Sequence, residues 1–320
     1  MSNVEDVVIV ENVVKEFPIG AFLRKRLRIL NGISFNLPDG DNLAIVGPNA
    51  SGKTTLLKML ASIYLPDSGS IEIYGYDLQK QITQVRNMIS FVSPSLTFQA
   101  KLTLKETIDF FAGVQDVGID DIALNFLEEV NLTHMMDKRL ESFSEGQKAM
   151  VRLVVGLMKQ PRLLLLDEIT ATLDLTRKEA VINTINELDR RYKFTIILVD
   201  HDPMVVDRIC DKVLLLKRGG RVLKYSTVDE LLSKIPYKYD IKVTPKKTLD
   251  DGFLKNFGFP YKKMGNIIRF FTHNHSEVNE LNAKLLEKED YILEFSISGV
   301  SLEDVYYYWM QKETSETEKY

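Results

Sequence analysis

The chain has 320 residues, a length that suits about two domains, and its hydrophobic share of 45% and charged share of 27% are ordinary for a globular protein. A formal net charge of −4 gives no overall positive field, so no nucleic acid is expected as a partner. The single cysteine, Cys210, excludes an internal disulfide and a cysteine metal cluster, which fits the cytosol.

The sequence shows no segment of the kinds that direct secretion or insertion into a membrane. Its first apolar run is interrupted by Glu5, Asp6 and Glu11, unlike a secretory signal. The most apolar runs, 163–166 and 194–199, are far shorter than the ~18–20 residues that span a bilayer. We therefore expect any work at a membrane to go through a partner.

Short β-rich runs alternate with helical stretches from residue 7 onwards, which predicts an α/β domain over residues 1–234. Nearly continuous apolar runs predict strands of a sheet covered on both faces, at 42–46, 89–92, 163–167 and 195–199. Glycines predict antiparallel hairpins beside this core, at 70–74 and at 212–217 with 221–225. Helices are expected in an insert at about 95–160, namely 103–111, 120–130 and 144–159.

A phosphate-binding loop follows the first of these strands. Residues 47–54, GPNASGKT, match G-x-x-x-x-G-K-[ST], with a strand ending before them and an amphipathic helix, 54–61, beginning there. Lys53 would reach the β- and γ-phosphates, and the Thr54 hydroxyl would ligate Mg²⁺. The glycines let backbone N–H groups face the phosphates. The alternative, a chance glycine-rich turn, lacks such a context; the predicted nucleotide site is Gly47, Pro48, Asn49, Ala50, Ser51, Gly52, Lys53, Thr54 and Thr55.

The stretch ESFSEGQKAM, residues 141–150, opens another predicted helix. Ser144 and Gln147 have the S-x-x-Q form of a capping box, which is a sufficient structural explanation. Gly146 in the first turn costs about 1 kcal/mol relative to alanine, so it is an odd choice for a cap alone. A serine and a glycine with little bulk favour an anion site at the helix N-terminus.

Two carboxylates end the apolar strand LLLLDE. Open α/β sheets bind ligands outside the C-terminal ends of their strands, which favours a role for both beside the phosphate loop. Asp167 is predicted to hold Mg²⁺ directly or through water, and Glu168 to polarise the water that attacks the γ-phosphate. Without the phosphate loop, a solvated acidic turn would be the better interpretation.

Residues 235–312 are predicted to form a small α+β domain, followed by a polar tail at 313–320. A last helix, 301–311, opens with Ser301 and Asp304 in capping positions. The βαββαβ order is that of the ferredoxin-like arrangement, with elements at 237–243, 248–257, either side of Gly265-Asn266, 277–287 and 291–298.

The phosphate loop, FSEGQ and LLLLDE in this order resemble the ATP-binding subunit of an ABC transporter. FSEGQ is similar to the family signature, usually LSGGQ, and residues 171–174, ATLD, resemble the D-loop. His201 resembles the switch histidine, and Phe17 stands where the family places the aromatic that stacks on adenine. The motifs cover residues 15–201 and imply a P-loop NTPase fold of ABC type, with a mixed sheet, antiparallel hairpins and a helical insert.

The resemblance implies that two such domains, identical or different, meet head to tail around two ATP molecules with Mg²⁺. Hydrolysis removes the shared γ-phosphate and lets the pair separate, which drives a separate membrane-spanning partner from the cytoplasmic face of the cell membrane. The implied catalytic residues are Lys53, Glu168 and His201, and the implied Mg²⁺ ligands are Thr54 and Asp167. The residues implied to contact the opposite subunit's ATP are Ser144, Gly146, Gln147 and Asp174.

The segment ILEFSISGVSLEDVYYYWM resembles the end of the C-terminal domain of bacterial and archaeal exporter ATPases for drugs, lipids, polysaccharides or ions. The expected function is therefore the ATPase of an exporter. A soluble ABC ATPase acting on ribosomes, DNA repair or metal clusters is the alternative. Ribosomal types usually carry two ATP domains and repair types insert long coiled coils, whereas this chain has one phosphate loop and a compact insert. A non-hydrolysing regulatory subunit is disfavoured by Glu168 and His201.

Three positions depart from the family pattern. Pro94 stands where the family places a glutamine that senses Mg²⁺ and contacts the membrane partner, and proline has no side-chain amide and no backbone N–H. Ser95, Gln99 or water would have to substitute, or coupling differs. Ile169 replaces the usual proline after the catalytic glutamate, and Glu145 puts a negative charge in the signature that faces solvent or weakens the neighbouring ATP site.

Overall fold

The computed structural model describes residues 5–19, 25–118, 121–200, 202–302, 304, 305, 308 and 309. The chain divides into two compact units, Met1–Thr227 and Val228–Tyr320. The helix Val228–Ser233 therefore lies in the second unit, whereas the sequence placed it in the first. Within the described residues, no helix has both the length and the apolar character needed to cross a membrane.

Strands and helices of the first unit largely alternate, as the sequence predicts. The strands are β1 (Asp6–Ile19), β2 (Lys25–Pro38), β3 (Leu43–Val46), β4 (Ser68–Ile73), β5 (Tyr76–Asp77), β6 (Ile89–Val92), β7 (Leu163–Asp167), β8 (Thr195–Val199), β9 (Lys212–Lys217) and β10 (Arg221–Thr227). The helices are α1 (Lys53–Leu60), α2 (Ile82–Met88), α3 (Leu104–Gln115), α4 (Asp121–Glu129), α5 (Glu145–Leu157), α6 (Leu175–Tyr192) and α7 (Pro203–Ile209).

The central sheet of this unit has the strand order β10-β9-β3-β8-β7-β6. Its strands run parallel except for β10, which forms the predicted antiparallel hairpin with β9. Every residue of β7 and β8 is buried, which confirms a sheet covered on both faces. The first strand begins one residue later than predicted, at Leu43, and the side chain of Asn42 accepts a hydrogen bond from Ile196 N at 2.8 Å.

A second sheet, in the order β2-β1-β4-β5, is antiparallel throughout. The sequence predicted only its β4 strand. Alternation along β1 and β2 is broken by several register shifts, and Asn12 has a positive φ of 49°. These irregularities hide the period-2 pattern by which a strand is recognised. One apolar cluster packs between the sheets and includes Val8, Ile33, Leu57 and Ile197.

The helical insert contains α3, α4 and α5, with α3 and α4 packed against α5. The predicted helices were nearly right: α3 runs past residue 111 to Gln115, and α5 ends at Leu157 rather than 159. Residue 120, where the second helix was predicted to start, lies outside the described residues.

The second unit confirms the βαββαβ order. After α8 (Val228–Ser233) come β11 (Tyr239–Pro245), α9 (Asp251–Lys255), β12 (Tyr261–Met264), β13 (Ile267–Thr272), α10 (His275–Leu286) and β14 (Ile292–Gly299). All neighbours in the sheet β12-β13-β11-β14 are antiparallel. This unit has an apolar core of its own, centred on Ile241, Phe270 and Leu281.

In the second unit, α9 is shorter than the predicted helix at 248–257, and the last helix agrees with the prediction where it is described. Helix α9 is only five residues long because Asp250 caps it at Phe253 N, at 2.7 Å, and Gly258 has a φ of 78°. The predicted last helix is helical at Leu302, Asp304, Val305, Tyr308 and Trp309, and its other residues after 302 lie outside the described ones. Its cap is confirmed, since Ser301 N donates to Asp304 Oδ2 at 2.8 Å.

Candidate functional site

The phosphate loop connects β3 to α1, and two of its glycines are required by their surroundings. Gly52 has a φ of 96°, and a Cβ there would lie 2.5 Å from Leu30 Cδ2. A Cβ on Gly47 would lie 2.4 Å from the carbonyl oxygen of Leu216. The loop therefore curls tightly against β2 and β9 in a way that no larger residue permits.

Ser51 and Lys53 place polar atoms inside this curl. Lys53 Nζ donates to the carbonyl oxygens of Gly47 and Pro48, at 2.9 and 3.1 Å. Burial lowers the pKa of Lys53, and the charges of Glu168 and Asp167 partly oppose that shift. Ser51 is fully buried, and its Oγ has no hydrogen-bond partner among the described residues. A buried hydroxyl without a partner is costly, so a phosphate oxygen fits this loop.

The structure brings together the two predicted Mg²⁺ ligands, 113 positions apart in the chain. Thr54 Oγ1 donates to Asp167 Oδ1 at 3.3 Å. Burial and the neighbouring charge of Glu168 raise the pKa of Asp167, while Thr54, Lys58 and Lys53 oppose the shift. A hydroxyl and a carboxylate are hard oxygen donors of the kind that Mg²⁺ prefers beside phosphates.

Glu168 stands beside the loop in an unusual conformation. Its φ is 50°, in the left-handed region that few residues other than glycine adopt, and its N–H donates to the carbonyl oxygen of Val199 at 2.8 Å. The end of β7 is thereby bent across the end of β8. Glu168 lines a cleft of ≈ 380 Å³ together with Ile29, Asn49, Ala50, Gly52, Lys53, Thr54 and Thr55.

The predicted capping box at the start of α5 is present in both directions. Gln147 N donates to Ser144 Oγ at 3.3 Å, and Ser144 N donates to Gln147 Oε1 at 2.9 Å. Two N–H groups of the helix start are thus satisfied within the chain. The N-terminus of α5 also carries the positive end of the helix dipole, which favours an anion at this end.

A second cleft, of ≈ 360 Å³, lies at this helix start and is lined by Ser144, Gly146, Gln147, Arg177, Val130, Asn131, Leu132, His134, Met150 and Ala180. It has no residue in common with the cleft beside Glu168. Gly146 is buried, and a Cβ there would lie 3.0 Å from Arg177 Cδ. Packing against α6 is therefore a further reason for the glycine, beside the anion site that the sequence suggested.

Asp174, the last residue of the D-loop stretch, begins α6. Its side chain accepts from Arg177 N at 3.0 Å and forms an ion pair with the Arg177 guanidinium at 3.1 Å. Arg177 thus connects Asp174 to the cleft of Ser144, a role that the sequence analysis missed. The D-x-x-R spacing after ATL was the available signal, because an i,i+3 pair meets on a helix.

The three positions that depart from the family pattern, Pro94, Ile169 and Glu145, lie in different environments. Pro94 is exposed and lies in a turn closed by Leu96 N and the carbonyl oxygen of Ser93, at 3.0 Å. The Ser93 and Ser95 hydroxyls are 2.9 Å apart. Ile169 is buried. Glu145 is half exposed, and an ion pair with Lys148 at 2.9 Å lowers its pKa.

For two of the predicted site residues, His201 and Phe17, the structure gives no evidence of a contact with nucleotide. His201 lies outside the described residues. Phe17 lies on β1, half-buried, with its ring centroid 5.2 Å from that of Tyr64 in an edge-to-face contact. Lys15 Nζ lies 5.5 Å from the Phe17 centroid. Stacking of adenine on Phe17 stays a prediction.

A family model described as ABC transporter matches residues 30–171. The dipeptide transport ATP-binding protein DppF of Escherichia coli (strain K12) is 30% identical over 254 residues, covering 74% of this chain and 76% of that protein. The linearmycin resistance ATP-binding protein LnrL of Bacillus subtilis (strain 168) is 29% identical over 210 residues, covering 65% of this chain and 67% of that protein. Further relatives are described as import ATP-binding proteins for phosphonates, methionine and sulfate/thiosulfate.

Among solved structures, a dimeric post-hydrolysis state of the ATP-binding cassette MJ0796, bound to ADP and Pi, matches with a TM-score of 0.61. The match covers 69% of this chain and 98% of that chain at 23% identity. At this identity the likeness is one of fold.

Proposed function

Because this chain belongs to the ABC transporter family as an ATP-binding subunit, and hydrolyses ATP, we propose that two copies close around two ATP molecules and power export through a membrane-spanning partner. The hydrogen bond between Thr54 Oγ1 and Asp167 Oδ1, at 3.3 Å beside the loop of Lys53, is the observation that carries the proposal. It supports a complete half-site for MgATP within one chain.

We assign the residues of this half-site the following roles. The loop N–H groups and Lys53 bind the phosphates, and the Ser51 hydroxyl donates to a phosphate oxygen, which supplies the partner it lacks among the described residues. Thr54 and Asp167 hold Mg²⁺, which neutralises charge on the phosphates when bound. Glu168 orients the attacking water, His201 contacts the γ-phosphate, and Phe17 stacks on adenine.

The other half-site lies on the opposite copy. Ser144 and Gly146, with Gln147 holding the cap, direct the N-terminus of α5 at the γ-phosphate. Arg177, which forms an ion pair with Asp174, lines the same cleft. The separation of this cleft from the Glu168 cleft supports a site completed by two chains. Hydrolysis then removes the charge-assisted contacts that hold the copies together.

One of the relatives and the SLEDV segment support a proposal for the direction of transport and the place of action. The linearmycin resistance relative and the SLEDV segment support export, and the import relatives are the competing case. The partner is a separate membrane-spanning protein, so this subunit acts at the cytoplasmic face of the cell membrane. Lys53→Ala should abolish binding of labelled ATP, whereas the exposed Lys105→Ala, whose lysine pairs with Asp109 on α3, should not.

The transport assignment is tested by copurification from native membranes. A polytopic membrane protein should copurify with the chain, and the pair, placed in vesicles, should move cargo away from the side that carries this subunit when ATP is added there. Movement toward that side would contradict export. The absence of any polytopic partner would contradict the transport assignment itself.

A further inference from the structure

The ends of β7 and β8 are joined beyond the last pair of their sheet. Asp167 pairs with Val199, and the N–H of Glu168 then donates to the carbonyl oxygen of Val199 at 2.8 Å. The chain after β7 turns at once, with Ala171 N donating to the carbonyl oxygen of Glu168 at 3.2 Å. Glu168 is thus held in a short turn that faces the segment following β8.

A buried side-chain hydrogen bond ties this turn to that segment. Thr170 Oγ1 donates to Asp200 Oδ2 at 2.7 Å. Thr170 is fully buried, and Asp200 is only 5% exposed. The other carboxylate oxygen of Asp200 accepts from Asp202 N at 2.9 Å. A buried carboxylate is costly unless it is hydrogen-bonded, and both oxygens of Asp200 are.

Asp202 extends the connection to the helix that follows the D-loop. Its side chain caps α7 by accepting from Met204 N at 2.9 Å, and it forms an ion pair with Lys178 on α6. The two residues that flank position 201 are therefore each tied elsewhere. Asp200 is tied to the turn of Glu168, and Asp202 is tied to α6, which Asp174 caps at its N-terminus.

We propose that Thr170 and Asp200 are positioning residues for ATP hydrolysis. Their hydrogen bond fixes the turn that holds Glu168 against Asp200, the residue that follows β8 and precedes His201 in the sequence, so it acts on the placement of Glu168 at the γ-phosphate. The proposal rests on the proposed roles of Glu168 and His201. Misplacement of a catalytic group by about 1 Å costs up to ~10²-fold in rate, so a contact of this kind acts on turnover rather than on nucleotide binding.

The test compares isosteric variants of the full-length chain by kcat, KM for ATP and Tm. Thr170→Val removes the hydroxyl and keeps the shape, so kcat should fall on the order of tenfold with KM within about twofold. Thr170→Ser keeps the hydroxyl and should recover most of kcat. Thr107→Val is the matched control, because Thr107 is also buried and its hydroxyl donates to the carbonyl oxygen of Thr103 in α3, away from the site.

Asp200→Asn completes a double-mutant cycle with Thr170→Val. Asparagine has an NH2 group, which cannot accept, in place of one of the two carboxylate oxygens that accept here. Asp200→Asn should therefore lower kcat too, and the double variant should be no worse than the poorer single one. Glu168→Gln, run alongside, tests the proposed catalytic role separately and should lose turnover whatever Thr170 does. A Thr170→Val protein with unchanged kcat, or one whose kcat falls only as far as that of Thr107→Val, overturns the positioning role.

Discussion

At the scale of single residues, the acids Asp167 and Glu168 stand next to each other in a partly buried cleft. Burial and the charge of Glu168 raise the pKa of Asp167. A carboxyl pKa that folding raises means that the charged form is less favourable in the folded state. The resulting loss of stability is absent below the pKa of the unfolded chain, grows as pH rises above that value, and is complete above the pKa of the folded chain.

Asp167→Asn should therefore stabilise the nucleotide-free protein at neutral pH, and the gain should disappear in acid. A gain of about 1 kcal/mol would raise Tm by roughly 2–4 °C in a unit of this size. The same variant should lose Mg²⁺-dependent ATPase activity, as expected where a site trades stability for function. Thermal melts at several pH values, with the exposed Asp109→Asn as control, measure this; a lower Tm at neutral pH would contradict the electrostatic argument.

Ser144 is predicted to serve both as a helix cap and as a ligand of the opposite copy's ATP. Ser144→Ala should cost about 1 kcal/mol of stability through the cap and also abolish most ATPase activity. Thr103→Ala is a matched control, because Thr103 caps α3 in a capping box with Glu106, with Glu106 N donating to it at 3.1 Å.

The two variants should lose similar stability in denaturant or thermal unfolding, and only Ser144→Ala should lose turnover. Equal losses of activity would show that Ser144 acts through the cap alone.

At the scale of elements, the strands that carry the site were predictable and those that frame it were not. Strands β6, β7 and β8 have the predicted bounds because they are continuous apolar runs buried on both faces. Strands β1 and β2 are long but irregular, so no simple period marks them. The capping box was predictable because it is local, whereas the contact of Gly146 with Arg177 depends on how α5 and α6 pack.

The turn after β6 contains Pro94, at the position where the family has a glutamine. Proline suits the second position of this turn, closed by Leu96 N and the carbonyl oxygen of Ser93, and its ring makes no hydrogen bond of its own. Pro94→Gln should cost about 0.4–1 kcal/mol, mainly because the unfolded chain gains freedom. Basal ATPase activity should stay the same or rise, since the variant restores the amide that the family uses.

An ATPase assay beside a thermal melt distinguishes the two possibilities for this turn. A collapse of activity at nearly unchanged Tm would mean that the backbone held by Pro94 is needed, and not a missing amide.

At the scale of the whole molecule, the change of pattern after residue 236 predicts a second domain, and each of the two compact units has its own apolar core. The second unit's buried pair, Arg269 with Asp240 at 3.0 Å, was not predictable because the two residues are 29 positions apart. The proposed two-copy site depends on the same kind of long-range information: the sequence marks both half-sites, and their placement in separate clefts supports the proposal of two copies.

The most direct test of the central claim is the molecular mass of Glu168→Gln protein with and without MgATP, measured by size exclusion with light scattering. Glu168→Gln should bind ATP without turning it over, so the account predicts a stable dimer with MgATP and a monomer without it. Adding Ser144→Ala should return the protein to a monomer, and adding Thr103→Ala should not. A Glu168→Gln protein that binds ATP and stays monomeric at every concentration would contradict the pairing of two copies.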